Sequence, residues 1–163
     1  MSYESDLALR LTPYVAGEQP KNVKLIKLNT NENPYPPSPK VAEAIASVPA
    51  DALRLYPDMD ATALCAAIAE VNGVDPTCVF CGNGSDEVLA FAFAAFFAGK
   101  KLLAPDVTYS FYPVYADLFG VDYQTVPLTE KFEVDVAGLM QGCPVALANP
   151  NAPTRIPLGS GEV

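Results

Sequence analysis

The stretch TCVFCGNGSDEVLAFAFAAFFAGKKLLA, Thr77–Ala104, decides the fold. Thr77–Cys81 is short and apolar, which predicts a strand. Gly82 and Gly84 then turn the chain, and Asp86–Phe97 is an apolar run of helical length closed by Gly99. Lys101–Ala104 returns to a strand pattern. Strand, glycine turn, helix and strand in this order predict a right-handed β-α-β unit with parallel strands.

The alternation continues toward the C-terminus. A helix is expected over Ser110–Phe119, ended by Gly120, then a strand at Asp122–Val126. A helix at Val134–Met140 and a fourth strand at Pro144–Ala148 follow. The expected fold class is α/β, a three-layer α/β/α body with a mostly parallel sheet, incomplete, with an extended N-terminal arm. The helix around Val88–Ala98 carries Phe91, Phe93, Phe96 and Phe97 and is apolar almost all round, so burial on several sides is expected.

Toward the N-terminus the rhythm is lost. Prolines crowd into PYPPSP, Pro34–Pro39, and the chain up to about Asp60 reads as loop-rich. Such a segment is expected to wrap over the main body or over a neighbouring subunit. Within it, Ser38-Pro39 predicts a helix running to about Val48, with serine as cap and proline at the first position. Asp60 is expected to cap a second helix over Ala61–Val71, stopped by Gly73.

Composition excludes much of catalysis. The 163 residues contain no histidine, so no Ser-His-Asp triad, Cys-His pair or His-ligated metal forms within this sequence, and no metal site is expected. Ten Lys and Arg stand against 19 Asp and Glu, a net charge of −9, which argues against nucleic acid or an anionic membrane surface as partner. The longest apolar stretch, Val88–Ala98, is too short for a membrane span of about 20 residues. There is no basic, then apolar, leader pattern at the N-terminus. Cys65, Cys78, Cys81 and Cys143 lie among apolar neighbours and read as buried free thiols of a cytoplasmic protein.

Three places carry candidate chemistry. In CGNGSDE, Cys81–Glu87, two glycines precede a helix start at which Ser85 and Asp86 present backbone N–H groups. That arrangement suits a phosphate, and it equally suits a plain helix-capping turn. A dinucleotide fingerprint is disfavoured because Glu87 occupies the third glycine position. Cys78 and Cys81 have C-x-x-C spacing, but no second pair or histidine completes a zinc site, so core cysteines are expected. Tyr109, Tyr112 and Tyr115 follow the second strand, and Asn149-Pro150-Asn151 follows the fourth, at the end where open α/β sheets place ligands.

Taken in order, KLNTNENPYPPSP, LRLYPD, CGNGSDE, TYSFY and NPNAPT resemble the pyridoxal-phosphate aminotransferases of fold type I. LTPYVAGEQP, Leu11–Pro20, is similar to the opening of the histidinol-phosphate aminotransferase subfamily. The resemblance implies that the backbone at Gly84, Ser85 and Asp86 holds the phosphate of pyridoxal 5'-phosphate and that Tyr109 stacks on its ring. It implies that Tyr56 reaches the phosphate of a neighbouring subunit, and that Asn151, or else Asn149, approaches the ring hydroxyl. Tyr14 and Asn33 would line the substrate side. A homodimer is implied, with histidinol phosphate and 2-oxoglutarate as substrates and an aromatic amino acid as alternative donor. A non-enzymatic phosphate- or nucleotide-binding module remains the alternative of another class. Residues 1–60 would form the arm and part of the small domain, and 61–163 the first portion of the large cofactor domain.

The sequence departs from the family pattern at Val107, where proline is favoured, at Ala152, and at Arg155, where glycine is usual. Family members also run to more than double this length. None of the seven lysines lies in the motif of the Schiff-base lysine, so no catalytic residue is assigned. The resemblance therefore implies the N-terminal part of an aminotransferase, inactive by itself.

Overall fold

The computed structural model describes residues 3–12, 17, 26–159 and 161. The chain divides into two units, Val15–Cys81 and Met1–Tyr14 with Gly82–Val163.

In the larger unit, β1 (Lys101–Pro105) pairs in parallel with β2 (Asp122–Val126), Lys101 opposite Asp122 and Pro105 opposite Val126. On the other edge of β1, Leu103 N–H donates to Pro144 O at 3.0 Å and Ala146 N–H to Leu103 O at 2.8 Å, a parallel bridge at Val145. β1 is thus central, and four of its five residues are buried, as a strand covered on both faces requires. In DYQTV of β2 only Tyr123 and Val126 are half-buried and the other three residues are exposed, as on an edge. Two of the four expected strands form in full. Pro144–Ala148 contributes only the bridge. Thr77–Cys81 is not a strand: Asp75 accepts from Thr77 N–H at 2.9 Å and starts a 3-10 turn, Pro76–Cys78. The Asp-Pro cap overrides the apolar pattern there.

α4 (Ser85–Ala92) continues as a π-helical turn, Phe93–Phe97, before Gly99 ends it at φ +70°. α5 (Tyr112–Phe119) closes on Gly120 at φ +64°. The core joins Phe93 of that turn, Leu102 and Ala104 of β1, Tyr112, Tyr115 and Ala116 of α5, and Ala146. Leu102 and Ala104 share one face of the strand, and Leu103 points to the other. Burial of the α4 run on several sides is not observed. Phe93 is buried, whereas Phe91 and Phe96 are 53% and 64% exposed. α6 (Val136–Leu139) is capped by Asp135, which accepts from Gly138 N–H at 2.9 Å, and its Leu139 is buried. α1 (Asp6–Arg10) is tied to α5 by Arg10, which donates to Asp117 O and pairs with its carboxylate at 3.4 Å.

In the smaller unit, α2 (Pro39–Ala46) starts as expected, with Ser38 Oγ accepting from Lys40 N–H. α3 (Thr62–Asn72) ends as expected at Gly73, φ +66°. Its cap is Asp58, not Asp60: the Asp58 carboxylate takes the N–H of Thr62 at 2.7 Å and of Asp60 at 3.2 Å. Ala61, at φ +47°, turns the chain between them. Cys65 and Ala69, one helical turn apart, form its buried face. The reading of all four cysteines as core residues needs correction. Cys65 is buried, Cys81 and Cys143 are half-buried, and Cys78 on the 3-10 turn is exposed. Cys81 meets Cys65, Sγ to Sγ at 3.6 Å, rather than its C-x-x-C neighbour. Among the described residues no helix is long and apolar enough to cross a membrane.

Candidate functional site

Gly84 sets the entry to α4. Its φ of +84° and ψ of 172° lie in a region that is essentially reserved for glycine. A Cβ there would meet nothing within 4 Å, so conformation and not space demands the glycine. Gly82 is the opposite case: a Cβ would come within 2.9 Å of Glu87 Oε2 and 3.0 Å of Val88 Cγ2.

Among the described residues no side chain caps the start of α4, and Gly84, Ser85 and Asp86 are all exposed. The first N–H groups of a helix have no partner within it, so this end presents donors and the positive end of the helix dipole to solvent. Asp86 and Glu87 add negative charge to this first turn, which by itself opposes an anion. Each has its own donor. Glu87 Oε2 accepts from Asn83 N–H at 2.7 Å, a variant of the capping box displaced by one residue. Asp86 Oδ1 accepts from the Tyr109 hydroxyl at 2.6 Å.

That bond brings the aromatic loop after β1 to the glycine turn. The Tyr109 ring stacks on Phe111, centroids 6.2 Å apart at 25°, and meets Tyr112 edge-on at 5.6 Å. Tyr115, buried in the core, donates its hydroxyl to the Asp86 carbonyl at 3.0 Å. Burial first, then the charge of Asp86 and hydrogen bonding to it, push the Tyr115 hydroxyl up to about 12. Burial likewise raises Tyr112, and Tyr123 behind it.

Asn151 is 1% exposed and its amide is engaged on both sides. Its oxygen accepts from the Thr108 hydroxyl at 2.8 Å, and its nitrogen donates to Val107 O at 2.9 Å. Asn151 thus latches the loop after Val145 to the loop after β1. Asn149 serves its own loop, its oxygen accepting from Leu158 N–H at 2.9 Å. Arg155 adopts φ +60°, and its N–H donates to Asn151 O.

The larger unit therefore brings together Gly84, Ser85, Asp86 and Tyr109, with Asn151 locked beneath the Tyr109 loop by Val107 and Thr108. Asn33 and Tyr56 lie in the other unit. Asn33 Oδ1 accepts from Tyr35 N–H at 3.0 Å in a local turn, and Tyr56 is fully exposed. Tyr14 falls outside the described residues. Sequence reading missed two roles, the Asp86 carboxylate and the Tyr115 hydroxyl. Only a polar atom on an otherwise core-facing tyrosine hinted at the second.

Residues 23–154 match the family model described as aminotransferase class I and II. The histidinol-phosphate aminotransferase of Acinetobacter baumannii (strain SDF) is 56% identical over 168 residues, covering 100% of this chain and 46% of the relative. That of Acetobacter pasteurianus is 56% identical over 161 residues, covering 98% of this chain and 45% of the relative. The chain thus spans about half the length of the curated relatives it matches. Among solved structures, a protein of Erwinia carotovora atroseptica assigned as a histidinol-phosphate aminotransferase superposes with a TM-score of 0.71 at 25% identity. That superposition covers 83% of this chain and 41% of the other.

Proposed function

The chain belongs to the class I and II aminotransferase family, and from that premise we propose that the whole protein moves an amino group from histidinol phosphate to 2-oxoglutarate in histidine biosynthesis. The observation that carries the reading is the Tyr109–Asp86 bond of 2.6 Å, which sets an aromatic ring against an uncapped helix start. A phosphate-bearing planar cofactor needs that pair: N–H donors for its anionic end and a flat apolar surface for its ring. The residues fit pyridoxal 5'-phosphate, since the glycine-only turn at Gly84 leaves the backbone N–H groups of the helix start open and an aromatic ring stands beside them.

In this reading the backbone N–H groups of Ser85 and Asp86 hold the phosphate, and Tyr109 stacks on the ring. Asn151 has one amide proton beyond the one given to Val107, and this is the donor it would offer a ring oxygen. Thr108 and Val107 fix the plane of that amide. Tyr56, fully exposed, extends to the phosphate of a partner subunit in a cytoplasmic homodimer. Tyr14 and Asn33 line the substrate side. When bound, pyridoxal phosphate supplies the electron sink that lets the bond between the amino-bearing carbon and its hydrogen ionise. The resemblance places the lysine that bonds the cofactor downstream of the motifs present here, so the 163 residues alone are expected to turn over no substrate.

The test is turnover by the full-length protein with 2-oxoglutarate as acceptor. Histidinol phosphate is expected to be the preferred donor over phenylalanine. A preference for phenylalanine would replace the substrate and keep the reaction, whereas absence of pyridoxal-phosphate binding would overturn the reading.

A further inference from the structure

A carboxylate in the first turn of a helix that receives a phosphate works against its ligand, because like charges at that range repel. Asp86 sits there. Its surroundings give it a different task. Its carbonyl oxygen is held by the hydroxyl of Tyr115, whose ring is wedged in the core between Phe93 at 5.3 Å and Phe111 at 5.1 Å. The Asp86 backbone is therefore anchored to the packed part of the unit. From that fixed point its carboxylate accepts the hydroxyl of Tyr109 at 2.6 Å. Tyr109 is half-buried and lies in a loop, and its ring contacts on Phe111 and Tyr112 fix its tilt only by packing.

We propose that the Asp86 carboxylate is a positioning residue: it holds the Tyr109 ring in the orientation that meets the cofactor, and it does so from an anchor set by Tyr115. This rests on the pyridoxal-phosphate reading above and goes beyond it, since that reading uses only the backbone of Asp86. A ring orientation fixed before the ligand arrives removes an ordering cost from binding.

The sign of the effect separates this role from simple electrostatics. If Asp86 acted only by its charge, its removal would tighten phosphate and cofactor alike. If it positions Tyr109, removing the acceptor weakens the ring-bearing ligand and not the bare anion. The experiment is titration calorimetry on the full-length protein with pyridoxal phosphate and, separately, inorganic phosphate. The proteins compared are wild type, Asp86→Ala, Asp86→Asn, Tyr109→Phe and the double variant Asp86→Ala/Tyr109→Phe. Asp86→Ala is expected to weaken pyridoxal phosphate by about fivefold to tenfold, the net size of one ordinary hydrogen bond. Inorganic phosphate should bind as well or better. Asp86→Asn keeps an acceptor oxygen and should bind pyridoxal phosphate at least as tightly as wild type. Tyr109→Phe should match the loss of Asp86→Ala, and the double variant should lose no more than either. The asparagine and phenylalanine changes alter little packed volume, so they keep the comparison readable should the alanine variant fold poorly. Parallel shifts for both ligands, or losses that add in the double variant, would overturn the proposal while the cofactor reading stands. Wild-type protein that binds inorganic phosphate but not pyridoxal phosphate would overturn both.

Discussion

The side-chain oxygen of Asn151 and the hydroxyl of Thr108, 43 residues apart in the chain, meet at 2.8 Å in a site where Asn151 is 1% exposed. The amide nitrogen on the other side donates to Val107 O. Truncation to alanine would leave the part-buried Val107 carbonyl and Thr108 hydroxyl without these partners. Asn151→Ala is expected to cost about 1–3 kcal/mol, as for a buried side chain whose part-buried partners lose their hydrogen bonds. Urea unfolding measures this, and an unchanged midpoint would show that the two loops hold together without the latch. Thr108→Val should cost less, because the Val107 bond survives.

The two glycines of the turn fail for different reasons when substituted. Gly84→Ala is expected to cost about 1–3 kcal/mol through backbone conformation alone. No trimming of neighbours should recover it, because nothing lies within 4 Å of its would-be Cβ. Gly82→Ala is crowded by Glu87 and Val88, so the second change Val88→Ala should recover part of its loss. Thermal unfolding of the single and double variants distinguishes the cases. Recovery of Gly84→Ala by a neighbouring truncation would contradict the geometric account.

Much of this site is legible in the sequence because its parts are backbone signals. Glycine at residues 82 and 84, Ser85 beginning a helix and Gly120 ending one need no tertiary knowledge. The strand expected at Thr77–Cys81 fails because Asp75 and Pro76 start a 3-10 turn, and a local cap outweighs five apolar residues. Asp58 displaces Asp60 as the cap of α3 because the side chain two residues earlier reaches both N–H groups. Arg155 stands where the family pattern has glycine, and it takes the left-handed φ of +60° that explains the glycine elsewhere. The Asp86–Tyr109 and Asn151–Thr108 bonds span 23 and 43 residues, and no periodicity encodes contacts of that range.

Alkaline pH should expose the buried tyrosines. The Tyr115 hydroxyl is pushed up to about 12 from its ordinary value of 10.0, so the folded state holds that proton more tightly than the unfolded chain. Its contribution to stability is complete below pH 10 and is lost as pH rises toward 12. Tyr112 and Tyr123 are raised in the same direction and add to the loss. Ultraviolet titration should show Tyr115 ionising late. Asp86→Asn should bring it down only part of the way, because burial is the larger cause. A full return to the ordinary value would mean that the Asp86 charge, and not burial, governs it.

Alkylation separates the cysteines by their surroundings. Cys78 is exposed on the 3-10 turn, so iodoacetamide should modify it first. Cys65 is buried, and its thiol is pushed up chiefly by its hydrogen bond with Cys81, then by burial and by the charges of Asp58 and Asp60. Fewer of its molecules carry the reactive thiolate at neutral pH, and the reagent reaches it poorly, so it should react last. Replacing Cys81 by alanine removes the largest cause of the shift and should speed modification of Cys65 relative to Cys78. Peptide mapping after timed alkylation reads the order directly. Were Cys65 and Cys78 modified at the same rate in the native protein, neither burial nor the contact with Cys81 would protect Cys65 in solution.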